Sequence, residues 1–93
     1  MWQVLYHRQA IKRVKKLPPK IREKLDVWVE IATHEGPSGL RAFPGFNDEA
    51  LSGVWKGYRS SRLSLQYRVI YSTDKDVLQI LVVDVTALDY KRS

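Results

Sequence analysis

An α+β domain is the fold class this sequence predicts, and three observations predict it. Apolar residues recur at helical spacing between positions 10 and 32. Strand-favouring residues gather at the N-terminus and again after position 54. The stretch between them is rich in Gly, Pro, Asn and Asp. At 93 residues the chain suits one core and one domain, 1–93. With 44% hydrophobic residues and no cysteine, packing has to supply the stability, and disulfides, thiolate zinc sites and cysteine nucleophiles are excluded. That composition suits a reducing cytoplasm. The longest apolar run, Ile80 to Val83, falls far short of the ~20 residues of a membrane span, and the N-terminus lacks the apolar stretch of a secretory signal.

Element by element, Trp2 to Tyr6 reads as a strand, and Ala10, Ile11, Val14 and Leu17 as the stripe of a first helix. Pro18 and Pro19 end that helix, and a proline is well placed to open the next. In the second helix Ile21, Leu25, Trp28 and Ala32 make an apolar stripe, which predicts a buried Trp28 and a stop near Gly36-Pro37. From Pro37 to Gly53 the chain reads as an ordered irregular loop held by Arg41 and Phe43. Trp55–Ser64, Tyr67–Thr73 and Val77–Val85 then read as three antiparallel strands, with Asp74-Lys75-Asp76 turning between the last two. The expected architecture is β-α-α-β-β-β: two helices on one face of a mainly antiparallel four-stranded sheet.

Charge is unevenly placed. Residues 1–24 carry eight basic side chains against Glu23 alone, and residues 52–72 carry Lys56, Arg59, Arg62 and Arg68 with no acid. Residues 25–51 hold Arg41 against five acids, so the net +6 comes from two cationic segments. Brought together by folding, they would attract a polyanion. Strand alternation places Arg62 with Ser60 and Ser64 on one face and Arg59 with Ser61 on the other; Arg68 likewise opposes Tyr67 and Val69. A sheet face bearing Arg62, Arg68 and hydroxyls is a poor hydrophobic core and a plausible cradle for a phosphodiester.

Other chemistries find little support. His7 and His34 sit on different elements, no metal-ligand spacing or phosphate-binding glycine loop occurs, and Ser60, Ser61 and Ser64 have no histidine beside them. Arg, Lys and Tyr remain. Arginine can neutralise charge growing on a phosphorus centre, and RNA brings its own nucleophile, the 2′-hydroxyl, so such a set can cleave RNA without metal or cofactor.

The ordered series Phe43-Pro-Gly-Phe-Asn-Asp-Glu49, Leu51-Ser-Gly53, Arg59-Ser-Ser-Arg62-Leu-Ser64, Tyr67-Arg-Val-Ile-Tyr71 and Asp89-Tyr90 resembles the RelE/HigB toxins of bacterial toxin–antitoxin modules, within the RelE/ParE superfamily. The resemblance implies two helices packed on an antiparallel sheet. It also implies an endoribonuclease that cuts mRNA, commonly on the ribosome, by 2′-hydroxyl attack, and a cognate antitoxin as partner. On it, Arg68 matches the phosphate-stabilising arginine, Arg62 a basic position on the preceding strand, Tyr90 the C-terminal tyrosine, and Asp89 the acid before it. Two positions depart. Ser52 stands where relatives often have a catalytic lysine, leaving Lys56 as the replacement, and Leu88 stands where many have histidine. The expected site is thus Lys56, Arg62, Arg68 and Tyr90 for catalysis. Lys12, Arg13, Lys15, Lys16, Arg59 and Asp89 are expected to contact RNA or ribosome. Two alternatives are a ParE-like gyrase inhibitor and a catalytically inactive relative that binds RNA or antitoxin.

Overall fold

The computed structural model describes residues 1–87. Its strands are β1 (Gln3–Tyr6), β2 (Glu49–Ala50), β3 (Arg59–Arg62), β4 (Arg68–Asp74) and β5 (Gln79–Thr86), joined in one sheet of order β1-β5-β4-β3-β2. Two helices, α1 (Arg8–Val14) and α2 (Pro19–Ala42), follow β1. β1 runs parallel to β5 and the other pairs are antiparallel. Parallel neighbours need a crossover, and the connection that contains the helices supplies it.

The sheet has five strands where the sequence predicts four. The extra one, β2, pairs Glu49 with Ser60 and Ala50 with Arg59 inside the segment read as irregular loop. Two residues offer no alternation to read. β3 is shorter than predicted because Gly53–Trp55 forms a 3-10 turn before it.

His7 caps α1, its Nδ1 accepting the Gln9 N–H at 3.2 Å. In α2, Leu25, Trp28 and Ala32 are buried, as the stripe requires. The chain breaks at Gly36, where φ is 69° and ψ −163°, but it then resumes helical geometry from Pro37 to Ala42. The predicted stop is therefore a kink. Pro37 lacks the N–H that a continuing helix needs, yet it is well suited to open a new turn.

The main core lies between the helices and one sheet face. It holds Ala10, Leu25, Trp28, Ala32, Leu40, Phe46, Leu63, Val69, Tyr71, Ile80, Val82 and Val85, and Trp2 packs against it half-buried. Trp28 meets Tyr71 edge-on, with ring centroids 5.3 Å apart. The loop is fastened by buried Phe46, on which the partly exposed Phe43 stacks, and by Asp48, while Arg41, also expected to hold it, is exposed in the last turn of α2. The Asp48 carboxylate is fully buried and accepts from Arg59 Nε at 2.7 Å, Ser61 Oγ at 2.6 Å and the Tyr71 hydroxyl at 2.5 Å.

Candidate functional site

The turn after β3 sets the site. Leu63 N–H donates to Tyr67 O at 2.9 Å, and Ser64 Oγ accepts the N–H groups of Gln66 and Tyr67 at 3.2 and 3.1 Å. This fixes the hairpin register so that Arg62 and Arg68 stand directly opposite each other. Two like charges at facing positions repel, a cost that screening or a bound anion relieves. Both side chains are half-buried. Arg62 Nε and Arg68 Nη1 are shielded from solvent and have no hydrogen-bond partner among the described residues. Neither guanidinium makes an ion pair among the described residues. Each guanidinium thus keeps one shielded nitrogen without a partner, and two such groups on one face have the charge and donors that suit an anion of phosphate size.

A bulge completes this face. Ile70 pairs with Asp84 and Tyr71 with Val82, so Val83 is the extra residue of β5. Before the bulge the even positions Ile80 and Val82 enter the main core, and after it the odd position Val85 does. Asp84 and Thr86 consequently share the face of Ile70 and Arg68, their partners in register. Asp84 Oδ1 lies 3.0 Å from Arg13 Nε, a close ion pair set off the hydrogen-bond axis. This pair brings α1, and with it the first cationic segment, to the strand beside Arg68. Lys12, Lys15 and Lys16 are exposed on or just past the same helix.

The middle of the face is not open. Leu51 and Ile70 form a second small core there with Trp55, Tyr58 and Val83, and Trp55 meets Tyr58 edge-on at 5.7 Å. The sequence reading of an uncovered polar face thus holds only for the Arg62–Arg68 end. Lys56 is exposed, just beyond the Gly53–Trp55 turn. It precedes β3 while Arg62 ends that strand, so the hairpin itself does not bring the two together.

Arg59 lies on the face that alternation assigns it, away from Arg62. Expected to contact RNA, it is turned to the opposite face of β3 and held by buried Asp48. Burial works against its charge, but the hydrogen bond to Asp48 and the attraction of that carboxylate leave its pKa above the usual arginine value. Burial likewise pushes the Tyr71 hydroxyl well above the ordinary tyrosine value, reinforced by the hydrogen bond and charge of Asp48 and only partly opposed by Arg59. Tyr71 is fully buried, while Arg59 stays partly exposed with its Nε committed to Asp48. Asp89, Tyr90 and Leu88 lie outside the described residues.

Sequence reasoning missed Asp48 and Asp84. A lone acid within an apolar strand is a signal for Asp84, because a buried carboxylate there needs a cation. It also missed a cleft of about 220 Å³ at the rim of the sheet, lined by Lys24, Val27, Phe43, Gly45, Phe46, Arg62 and Leu63.

No protein-family model and no curated protein matches the sequence. Solved structures do. The archaeal RelE–RelB complex from Pyrococcus horikoshii OT3 contains a chain 24% identical, with a TM-score of 0.73 over 91% of this chain and 92% of that one. YafQ from E. coli strain BL21(DE3) is 19% identical, with a TM-score of 0.75 over 92% of each chain. The YoeB–YefM complex from Staphylococcus aureus contains a chain 18% identical, with a TM-score of 0.73 over 92% of this chain and 95% of that one. The β-α-α-β-β-β-β arrangement described above is therefore the fold of the RelE, YoeB and YafQ proteins.

Proposed function

We propose that this protein is the toxin of a toxin–antitoxin pair and a metal-independent endoribonuclease acting on ribosome-bound mRNA in the bacterial cytoplasm. The observation that carries the reading is the facing pair Arg62 and Arg68, each with a shielded, unpartnered guanidinium nitrogen. The fold adds support, since solved structures that share it include toxins in complex with antitoxins.

The chemistry follows from the pair. Arg62 and Arg68 grip the non-bridging oxygens of one phosphodiester and stabilise the charge that grows there as the 2′-oxygen bonds to phosphorus. The P–O5′ bond breaks, leaving a 2′,3′-cyclic phosphate and a 5′-hydroxyl. One proton leaves the 2′-hydroxyl and one reaches O5′; Lys56 and Tyr90 are the groups assigned to these transfers. Asp89, Lys12, Lys15 and Lys16 contact the RNA or ribosome. Arg13, itself exposed, ties α1 to β5 through Asp84, and Arg59 braces β3 through Asp48. An antitoxin segment with acidic side chains would neutralise the protein by occupying the same two arginines.

The test adds purified protein to a ribosome-bound mRNA and to the same naked RNA, with cut ends mapped by primer extension. Discrete cuts with 5′-hydroxyl ends are expected, reduced about 100- to 1,000-fold in Arg68→Ala. That variant should fold normally, since it relieves a like-charge pair. Intact RNA on both templates, from folded protein, would reject the reading.

A further inference from the structure

We propose that the cleft beside Arg62 is a nucleobase subsite, holding one base of the nucleotide that adjoins the phosphate gripped by Arg62 and Arg68. The inference rests on the RNA reading above and deepens it.

Place comes first. β2 pairs with β3 only at Arg59 and Ser60; Ser61 is buried and held by Asp48, whereas Arg62, half-buried at the end of the strand, has no strand partner on that side among the described residues. Arg62 therefore stands at the rim of the sheet. It faces Arg68 across the hairpin and also lines the cleft between α2 and the Pro44–Phe46 turn. A polynucleotide bound at the arginine pair has a base one sugar away from the held phosphate, and this cleft is the recess next to it.

Size and lining select the occupant. At about 220 Å³ the cleft is below the roughly 300 Å³ at which drug-sized ligand sites begin, and it suits a single ring system. Val27, Phe43, Phe46 and Leu63 make it mainly apolar. Phe43 stacks on Phe46 with centroids 4.3 Å apart, yet it remains 42% exposed, which leaves aromatic surface for stacking. Val27, half-exposed on α2, forms part of the opposing wall. The charged side chains of the lining, Lys24 and Arg62, are donors only, matching the carbonyl edge of a base. Their positive charge also favours an occupant carried on a phosphate chain.

The test measures binding, so it does not depend on cleavage. Short RNAs made uncleavable by a 2′-deoxy sugar at the scissile nucleotide are titrated against the full chain by fluorescence anisotropy, replacing one base at a time by an abasic residue. Removing the base at one position next to the scissile phosphate should weaken binding about tenfold. Val27→Phe, which fills the cleft from an exposed helix position, should weaken the intact RNA similarly and abolish the abasic penalty; Phe43→Ala should do the same. Penalties that persist unchanged in both variants, or no sensitive position at all, would overturn the proposal and leave the cleft to a protein side chain. The expected single-base sensitivity, together with no cutting of the matching all-ribose RNA, would reject the cleavage reading and leave this subsite standing.

Discussion

Asp48 is a buried carboxylate satisfied by three donors from two strands, and removing it strands all three. Asp48→Ala leaves Arg59 partly buried without its counter-charge and deprives Ser61 and Tyr71 of their acceptor. A loss of about 3–5 kcal/mol is expected in urea denaturation, where a surface ion pair would give under about 1. Tyr71 provides a pH test with a definite sign. Its folded pKa is raised above the unfolded value of about 10, so the associated stability is complete below that pH and is lost as pH rises beyond it. Stability measured above pH ~10 should fall with pH, and Tyr71→Phe should make that slope shallower. Some slope will remain, because burial also raises Tyr6. At this scale the sequence disclosed Arg62 and Arg68 through alternation. It did not disclose Asp48, which sits in a loop with no periodicity and acquires its partners only when β3 and β4 are laid beside it.

α2 shows how one residue shapes an element. Gly36 adopts φ 69°, ψ −163°, a region open essentially to glycine, and an added Cβ would lie 2.3 Å from Trp2 Nε1. Gly36→Ala should therefore cost about 3 kcal/mol or more by thermal or urea melting, the sum of backbone strain and displacement of the Trp2 ring. A cost under about 1 kcal/mol would show that Trp2 moves aside freely. The break at Gly36-Pro37 was legible in the sequence. The helical turns beyond it were not, because they rely on burial of Pro37, Gly39 and Leu40 against the rest of the molecule. β5 gives the same lesson. Its alternation is interrupted by the bulge at Val83, so the sequence shows a strand apolar on both faces and conceals which way Asp84 points.

For the whole molecule the question is how its cations act together. α1 rests on β5 through the Arg13–Asp84 pair, so the cationic N-terminal segment and the Arg62–Arg68 hairpin border the same strands. RNA affinity should fall steeply with salt. Each of Lys12, Lys15 and Lys16 that contacts a phosphate should contribute about 0.7 to the log–log slope, and its replacement by Gln should remove that share. Arg13→Gln is expected to differ, lowering stability in urea by releasing Asp84. A slope unchanged in the triple lysine variant would remove α1 from the interface.

Local sequence determined the order of strand, helices and strands, the buried stripe of α2 with Trp28, the break at Gly36-Pro37 though not the helical turns after it, and the face shared by Arg62 and Arg68. These follow from local periodicity, proline and glycine chemistry, and the two-residue repeat of a strand, all of which act between near neighbours. Only the tertiary structure decided that Arg59 belongs to Asp48, that Asp84 meets Arg13, that Ile70 is covered by a second small core, and that Arg62 opens onto a cleft at the rim. Those outcomes depend on contacts between residues far apart in the chain, and on a bulge and a two-residue edge strand too short to leave a periodic mark.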